Sequence, residues 1–559
     1  MSRTLKRRLK KKPSVVQTHA KVHDRANHPL PDFVLAHYNL GNVFKQQGDA
    51  EQAIASFQKA IAHAPQFAEA RLNLGSVYHT QGRMEQAQAC YLEALRLRPN
   101  YPEALINLGL ILQIQRHHLE AIAYYQQALA LRPDDPEALS RWGVTLQDMG
   151  RLPEAMEKYQ QALALRPDYP EALSHLGGAL LSLDRLPEAM EYLEKSLTLR
   201  PHFPEALTNL GSALHKQGRL VEALAPLQKA KAIDPHFYEA HFVEGLTHLL
   251  LGDYHTGWPL YEYRWQTRGF IPHGHSQPLW DGSPLVGRTL LLHCEQGIGD
   301  NLQFVRYLPA VQEKGGKMIL LCPPTLRRLF SRIDGVDTLI TPADPIPPCD
   351  YQAPFMSLAG LFDTTLATIP APAPWFKATP SEMAPFREIL ASRPGFKVGV
   401  VWRGNPRYKN DHIRSVTATL LAPLCTVPGC VFVGLQKDVT AAERSLLDAQ
   451  GQFMDLSEKL HDFADTAAAL SCLDLVISVD TAVLHLAGTL ARPTWGLLPF
   501  VPDWRWLHRG STAPWYPSVR LFRQSHPGSW PEVIDAVRTQ LTFWPQERLN
   551  PINSNGLEE

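Results

Sequence analysis

Small and apolar residues recur along the first half of the chain with a period of 34 residues, in a register that never slips. Glycine stands at 41, 75, 109, 143, 177, 211 and 245, alanine at 53, 87, 121, 155, 189 and 223, and proline at 31, 65, 99, 133, 167, 201 and 235. Phe57, Tyr91, Tyr125, Tyr159, Leu193 and Leu227 fall in the same phase, so four independent columns agree. Each period predicts two helices. The glycine lets the first pack closely on the second, the alanine sits where they cross, and the proline ends the pair. Six full units occupy 34–237. A seventh starts at Tyr238 with Gly245 and Gly252 in phase, but Gly257 replaces the column alanine and the aromatic run Trp258, Tyr261, Tyr263, Trp265 follows. A terminal repeat must cover its neighbour's apolar face, so this unit reads as the cap that joins the array to what comes next.

From about Gln277 the period vanishes, and short β-branched or leucine-rich runs alternate with helical stretches, the rhythm of parallel α/β structure. Strands are predicted at Thr289 to Cys294, Lys317 to Leu321 and Val336 to Ile340, with helices at Asn301 to Lys314 and Thr325 to Arg332; a proline-rich passage, 342–374, holds the remaining short elements. The pattern restarts at Lys397 with the strand KVGVVW, followed by strands at Cys430 to Leu435, Leu475 to Val479 and Thr494 to Leu498 and a helix at Asp480 to Leu490. Two α/β lobes are indicated, and ligands of open parallel sheets bind beyond the carboxyl ends of the strands.

The loops at those ends carry the candidate chemistry. In the first lobe Gly297 and Gly299 are expected to let the backbone turn tightly, so that Asp300 is presented at a helix start over the cleft; an acid at that position also serves as an ordinary helix cap. In the second, Asp480 and Thr481 sit at a strand-to-helix junction whose first backbone N–H groups are free to hold a phosphate or diphosphate. Two rival motifs fail. Gly297-Ile298-Gly299-Asp300-Asn301-Leu302 has leucine where a dinucleotide fingerprint needs its third glycine, and no P-loop occurs. No D-x-D lies near a strand end of the second lobe, so no divalent-metal site is evident. The aromatics of Pro502-Asp503-Trp504-Arg505-Trp506 either stack on a ligand base or pack against Trp515 and Tyr516.

Composition narrows the partners. Lys+Arg and Asp+Glu balance at 55 each, which leaves no global field for nucleic acid or an anionic membrane. The apolar stretch near 475–501 is broken by Asp480, His485 and Arg492, so no run is long enough to span a bilayer. Seven cysteines are scattered without a C-x-x-C pair, which argues against a disulfide framework or zinc site and fits a reducing cytoplasm. The basic head reads as a solvated, disordered tail with no signal-peptide core.

Segments such as PEALINLGLILQIQRHHLEAIAYYQQALALRP resemble tetratricopeptide repeats throughout the first half. GIGD after the first strand, WRGNPRYKNDHIRS, and ISVDTAVLHLAGTLARPTWGLLP resemble the heptosyltransferase-like family 9 glycosyltransferases of GT-B fold over about 278–545, and most of all bacterial proteins that fuse the two. The resemblance implies an inverting, metal-independent transfer from a nucleotide-diphosphate sugar, with no cofactor beyond that co-substrate. It implies Asp300 as catalytic base, Lys409 as a cation near the donor phosphates, and Asp480, Thr481 and His485 as the donor-binding motif, with Ala482 where the family usually has glycine. His485 is alternatively a core or helix-facing histidine. Arg403 and Arg414 are further candidates for the charge a departing nucleotide needs. In the array, Asn39, Asn73, Asn107 and Asn209 share one phase with Arg141 and His175 between them. Such amides can hydrogen-bond a peptide backbone without reading its sequence, and a similar ladder serves the nucleocytoplasmic protein O-linked N-acetylglucosamine transferases, which the array resembles.

The expected organisation is therefore a basic tail (1–30), an all-α tetratricopeptide-repeat superhelix (31–270), two facing Rossmann-like lobes of an α/β GT-B fold (278–390 on the acceptor side, 395–545 on the donor side) and a short tail (546–559). The expected function is a cytoplasmic glycosyltransferase whose repeats recruit a protein or glycan-carrier acceptor. The alternative is a non-catalytic protein–protein interaction scaffold with a degenerate GT-B domain.

Overall fold

The computed structural model describes residues 30–267, 270, 274–370, 374–408, 410–449 and 451–549. The basic head, Lys409 and the last ten residues of the chain lie outside these. The described residues fall into two compact units that divide after Pro201, inside the repeat array.

Among the described residues the first unit holds five helical hairpins: Asp32–Gln47 with Ala50–His63, Ala68–Thr80 with Met84–Leu97, Pro102–Ile114 with His118–Leu131, Pro136–Asp148 with Leu152–Leu165, and Pro170–Ser182 with Leu186–Leu199. Two more, Pro204–Lys216 with Leu220–Ile233 and Tyr238–Leu251 with Tyr254–Tyr261, belong to the second unit. The columns are explained by contact. A Cβ on Gly75, Gly109 or Gly143 would lie 2.6, 2.7 or 2.5 Å from the ring of Tyr91, Tyr125 or Tyr159, so each aromatic ring lies directly on the bare backbone of the partner helix. Ala53, Ala87, Ala121, Ala155, Ala189 and Ala223 are all fully buried. Gly257 breaks the alanine column because Leu249 approaches it, to 2.6 Å of a Cβ placed there.

The second unit continues with two sheets. β1 (Thr289–His293), β2 (Lys317–Leu321), β3 (Thr338–Ile340) and β4 (Tyr351–Pro354) form a parallel sheet in the order β3-β2-β1-β4. β5 (Phe396–Val401), β6 (Cys430–Gly434), β7 (Phe453–Asp455), β8 (Leu475–Val479), β9 (Thr494–Leu498), β10 (Thr512–Ala513) and β11 (Tyr516–Arg523) form the second, in the order β10-β11-β9-β8-β5-β6-β7. Its pairings are parallel except for the β10–β11 hairpin at one edge. β6, β8 and β9 are buried along their whole length, which is why they are continuous apolar runs. Alternate residues feed different cores. Val476 and Leu498 join one that also contains Leu290 and Leu292 of β1 and Tyr254, Trp258 and Tyr261 of the last hairpin. Ile477, Trp495 and Leu497 join another, which holds Val533, Val537 and Leu541 of the helix Trp530–Leu549.

Several boundaries differ from the sequence expectation. The helix predicted from Asn301 starts at Ile298, and it is interrupted: Ile298–Phe304, a 3-10 turn Val305–Tyr307, then Leu308–Gln312. Pro309 stands in the first turn of the last segment, where its missing N–H is not needed, so a new helix start falls just before it. The helix predicted from Asp480 starts at Ala482, because Thr481 is extended at φ −139° and ψ 170°. The strand predicted from Val336 begins at Thr338. β7, β10, β11 and the helix Trp530–Leu549, which runs past the expected start of the tail, are additional.

The glycine column gives a test in which two effects oppose each other. On propensity alone Gly143→Ala would stabilise its helix by about 1 kcal/mol, whereas forcing a methyl into the Tyr159 ring costs about 1–3 kcal/mol. We expect the substitution to lower the thermal midpoint followed by far-UV circular dichroism. A raised midpoint would show that the ring moves aside freely.

Candidate functional site

β1 ends at His293, and Cys294, Glu295 and Gln296 lead into the helix Ile298–Phe304, for which Gly297 is the N-cap. The left-handed residue of this turn is Gln296, at φ +56°, while neither Gly297 nor Gly299 has positive φ. The expectation that both glycines serve the turn is therefore corrected. Gly299 is glycine because His485 of the second lobe lies against it: a Cβ would come within 2.6 Å of the imidazole. Asp300 stands in the first helical turn, and both its carboxylate oxygens are engaged. Oδ2 accepts from the Gly297 N–H at 2.7 Å, which is the capping contact, and Oδ1 lies 2.5 Å from Nη2 of Arg505.

The second lobe meets this point with the end of β8. Thr481 is the N-cap of the helix Ala482–Thr489, but its hydroxyl pairs with Ser478 Oγ at 3.0 Å instead of closing the helix end. His485, one turn on, is buried. Its Nδ1 is 3.0 Å from the Tyr516 hydroxyl, its Nε2 is 3.7 Å from Asp480, and its ring lies 5.1 Å from that of Trp506. The Thr489 hydroxyl donates to the Leu302 carbonyl at 3.2 Å, so the helix after β8 is tied to the helix that carries Asp300.

Arg505 lies in the motif whose aromatics the sequence singles out. It sits in the 3-10 turn Trp504–Trp506 and bridges Asp300 and Asp503, 2.5 Å from each. Burial opposes its charge, but the two carboxylates more than compensate and hold it protonated. Burial pushes the Asp503 carboxyl up further than Arg505 pulls it down, and Asp480 adds to the rise. Burial acts on Asp480 in the same sense, yet the His485 hydrogen bond and charge, with Arg414 and Arg505, bring it below the usual carboxylate range. Burial also pushes the Tyr516 phenol up to about 12.

The remaining candidates separate. Arg414 pairs with Asp411 at 3.1 Å, lies over the Tyr408 ring at 4.5 Å and is felt by Asp480. Arg403 is held by Glu443 at 2.6 Å and by the Asp438 carbonyl, both in the segment that follows β6. Lys409 lies outside the described residues. Trp504 and Trp506 are buried, the first among Tyr254, Trp258 and Trp515 and the second against His485 and Tyr516, so they pack. In the first unit, Asn39 is exposed, and the Asn73 amide donates to Tyr38 and Asn42 of the preceding hairpin at 3.0 and 2.8 Å. Asn107 is half-buried, Arg141 lies 3.7 Å from Glu137, and His175 stacks on Tyr159 at 5.6 Å. Asn209 holds the same place in the first hairpin of the second unit.

Comparison with known proteins follows this division. The model of glycosyltransferase family 9 (heptosyltransferase) matches residues 407–535, a tetratricopeptide-repeat model matches 180–241, and the C-terminal domain of cilia and flagella-associated protein 70 matches 4–203. The chain joins tetratricopeptide repeats to a glycosyltransferase family 9 domain. The family 9 match takes in Arg414, Asp480, Thr481, His485 and Arg505, and begins beyond Asp300 and Arg403. Protein FlbA of Caulobacter vibrioides is 28% identical over 327 residues, 52% of this chain and 53% of FlbA, so the chain spans about half the length of that curated relative. Among solved structures, the Cut9–Hcn1 tetramer of APC/C is similar over 38% of this chain and 42% of its own, at 22% identity and a TM-score of 0.37. The type IV pilus biogenesis factor PilW is similar over 38% and 99%, at 22% identity and a TM-score of 0.35. Among the described residues no helix is long and apolar enough to cross a membrane.

The Arg505 bridge of this glycosyltransferase family 9 domain predicts a pH dependence. Arg505→Met leaves the half-buried carboxylates of Asp300 and Asp503 without their cation and should lower the melting temperature at pH 7. Asp503, already raised by burial, rises further in the variant, so its folded-state pKa lies above the unfolded value and protonation stabilises the fold. The melting-temperature gap between parent and variant should therefore narrow as pH falls from 7.5 to 5; a gap that widens would refute the bridge.

Proposed function

We propose that the chain is a glycosyltransferase that moves a sugar, with inversion and without a metal, from a nucleotide-diphosphate donor to a protein or glycan-carrier acceptor recruited by the repeats in the cytoplasm. The observation that carries the proposal is the meeting of Asp300 with the Asp480–His485 segment, which lies inside the family 9 match, through the Gly299–His485 contact. In the proposed reaction the acceptor hydroxyl attacks the anomeric carbon, its proton passes to Asp300, and the nucleoside diphosphate leaves with the bonding electron pair. The departing charge is met by the backbone N–H groups at the start of the helix Ala482–Thr489, by Arg414 and by Lys409.

One feature of the site bears on the order of events. Asp300 Oδ1 is paired with Arg505 at 2.5 Å, so an acceptor hydroxyl that comes to this oxygen competes with the guanidinium. A bound diphosphate offers Arg505 another anion, which favours donor binding before acceptor attack. The asparagine column with Arg141 and His175 would line the partner groove, with Asn73 also stitching neighbouring hairpins together.

The same engagement of Asp300, together with a family match that starts at 407, favours the second reading, a binding scaffold with a non-catalytic domain. A nucleotide-sugar panel scored by thermal shift separates the two, since a scaffold has no need of donor affinity. Asp300→Asn then tests the base, because Asn still caps a helix. It should bind donor like the parent and lose roughly 10²-fold or more in transfer. Transfer at the parent rate would make Asp300 a cap alone.

A further inference from the structure

The last repeat hairpin and the turn that follows it reach both ends of the Asp300–Arg505 pair. On the Asp300 side, Arg264, in the 3-10 turn Glu262–Gln266, is wholly buried and grips Glu295 with two contacts, Nη2 to Oε1 at 3.0 Å and Nε to Oε2 at 3.3 Å. Glu295 also accepts from the Met356 N–H at 2.9 Å, and Arg264 donates to Ser357 Oγ at 2.9 Å. The next residue, Gln296, is the one in the left-handed region, a conformation that costs a side-chain-bearing residue free energy unless its surroundings impose it. Its amide donates to the Tyr261 hydroxyl at 2.8 Å. Gly297, Ile298, Gly299 and Asp300 follow directly.

On the Arg505 side, Trp504 packs edge-on to Trp258 at 5.1 Å, and the Arg505 guanidinium lies over the Trp504 ring at 4.3 Å. The His508 N–H donates to the Leu250 carbonyl at 3.1 Å, which pins the end of that turn to the last repeat's first helix. A hairpin needed only to cover the array's end would be served by apolar packing. This one places a hydroxyl on the single left-handed residue of the Asp300 turn and a buried cation on its neighbour.

We propose that Tyr261 and Arg264 are positioning residues for sugar transfer: the last repeat holds the Gln296 turn in the conformation that presents Asp300, and so sets turnover itself. The proposal rests on the transferase reading above.

Tyr261→Phe removes one oxygen and keeps the ring, and Gln296→Gly adopts the left-handed conformation without cost. In the full chain, Tyr261→Phe should lower kcat roughly 3- to 10-fold, the scale of one hydrogen bond, with donor KM and melting temperature close to the parent. Hydrogen exchange of the amides at 297–301 should quicken, while Tyr263→Phe on the same hairpin changes neither. Adding Tyr261→Phe to Gln296→Gly should do no further harm, because the residue it supports is then gone. Unchanged exchange in Tyr261→Phe overturns the positioning role, and quickened exchange with parental kcat overturns its bearing on turnover. A parent that transfers no sugar removes the transferase reading instead, and the exchange comparison still decides whether Tyr261 holds the turn.

Discussion

A guanidinium taken wholly out of water is the constraint around which the second unit is arranged. Arg264 is buried and so is its partner Glu295, so the pair is tolerable only if the fold supplies nearly every hydrogen bond that water would. It does so from three directions: Glu262 and the ring of Tyr261 from the repeat, Ser357 from the segment after β4, and Glu295 from the turn after β1. Such a pair adds little net stability over apolar packing, but it tolerates little displacement, since a shifted partner leaves a bare charge inside. The last repeat and the first lobe are therefore fixed to each other by geometry more than by strength.

The surroundings of Arg505 carry more acids than bases, although the proposed site would receive an anion. Asp300 and Asp503 flank Arg505, Asp480 feels both Arg505 and Arg414, and Asp480 and Asp503 are displaced in opposite directions. Two neighbouring carboxylates of one loop system differ because only one has a histidine at hand. A diphosphate placed here would be repelled by the carboxylates unless cations reorganise around it, and Arg505 is the cation with the most to exchange. That is the physical reason the order of binding matters in the proposed reaction.

What was legible in the sequence is what depends on near neighbours or on burial alone. The Gly and Ala columns report a close approach of paired helices, and fully buried parallel strands such as β8 and β9 announce themselves as apolar runs. Asp480 and Thr481 follow the apolar run of β8, so their place at a strand end is legible for the same reason. The roles that depend on distant partners were not legible. Gly299 looks like a turn glycine until His485, far along the chain, is seen against it, and Gln296, which does take the turn, carries no residue-type signal at all. Arg505 lies between two tryptophans that draw the eye, and its value comes from Asp300, contributed by the other lobe. β10 is a two-residue antiparallel edge, and β11, though parallel to β9, mixes buried and exposed positions, so neither announces itself as an apolar run.

The departures from the 34-residue pattern are then the informative part of the array. A repeat in the middle of a stack meets copies of itself, so its columns stay regular. The last one meets a different surface, and three of its aromatics answer it. Gly257 yields to Leu249 within the hairpin itself, whereas Trp258 reaches the Thr364 carbonyl with its indole N–H at 2.9 Å, Tyr254 accepts from Trp515 at 2.9 Å, and Tyr261 takes Gln296. Three aromatic residues thus each place one polar atom on the α/β unit while burying their rings in its core. Apolar rings alone would hold the hairpin against the lobe while leaving its rotation loosely set. The polar contacts fix its register, and one of them falls on the residue four before Asp300.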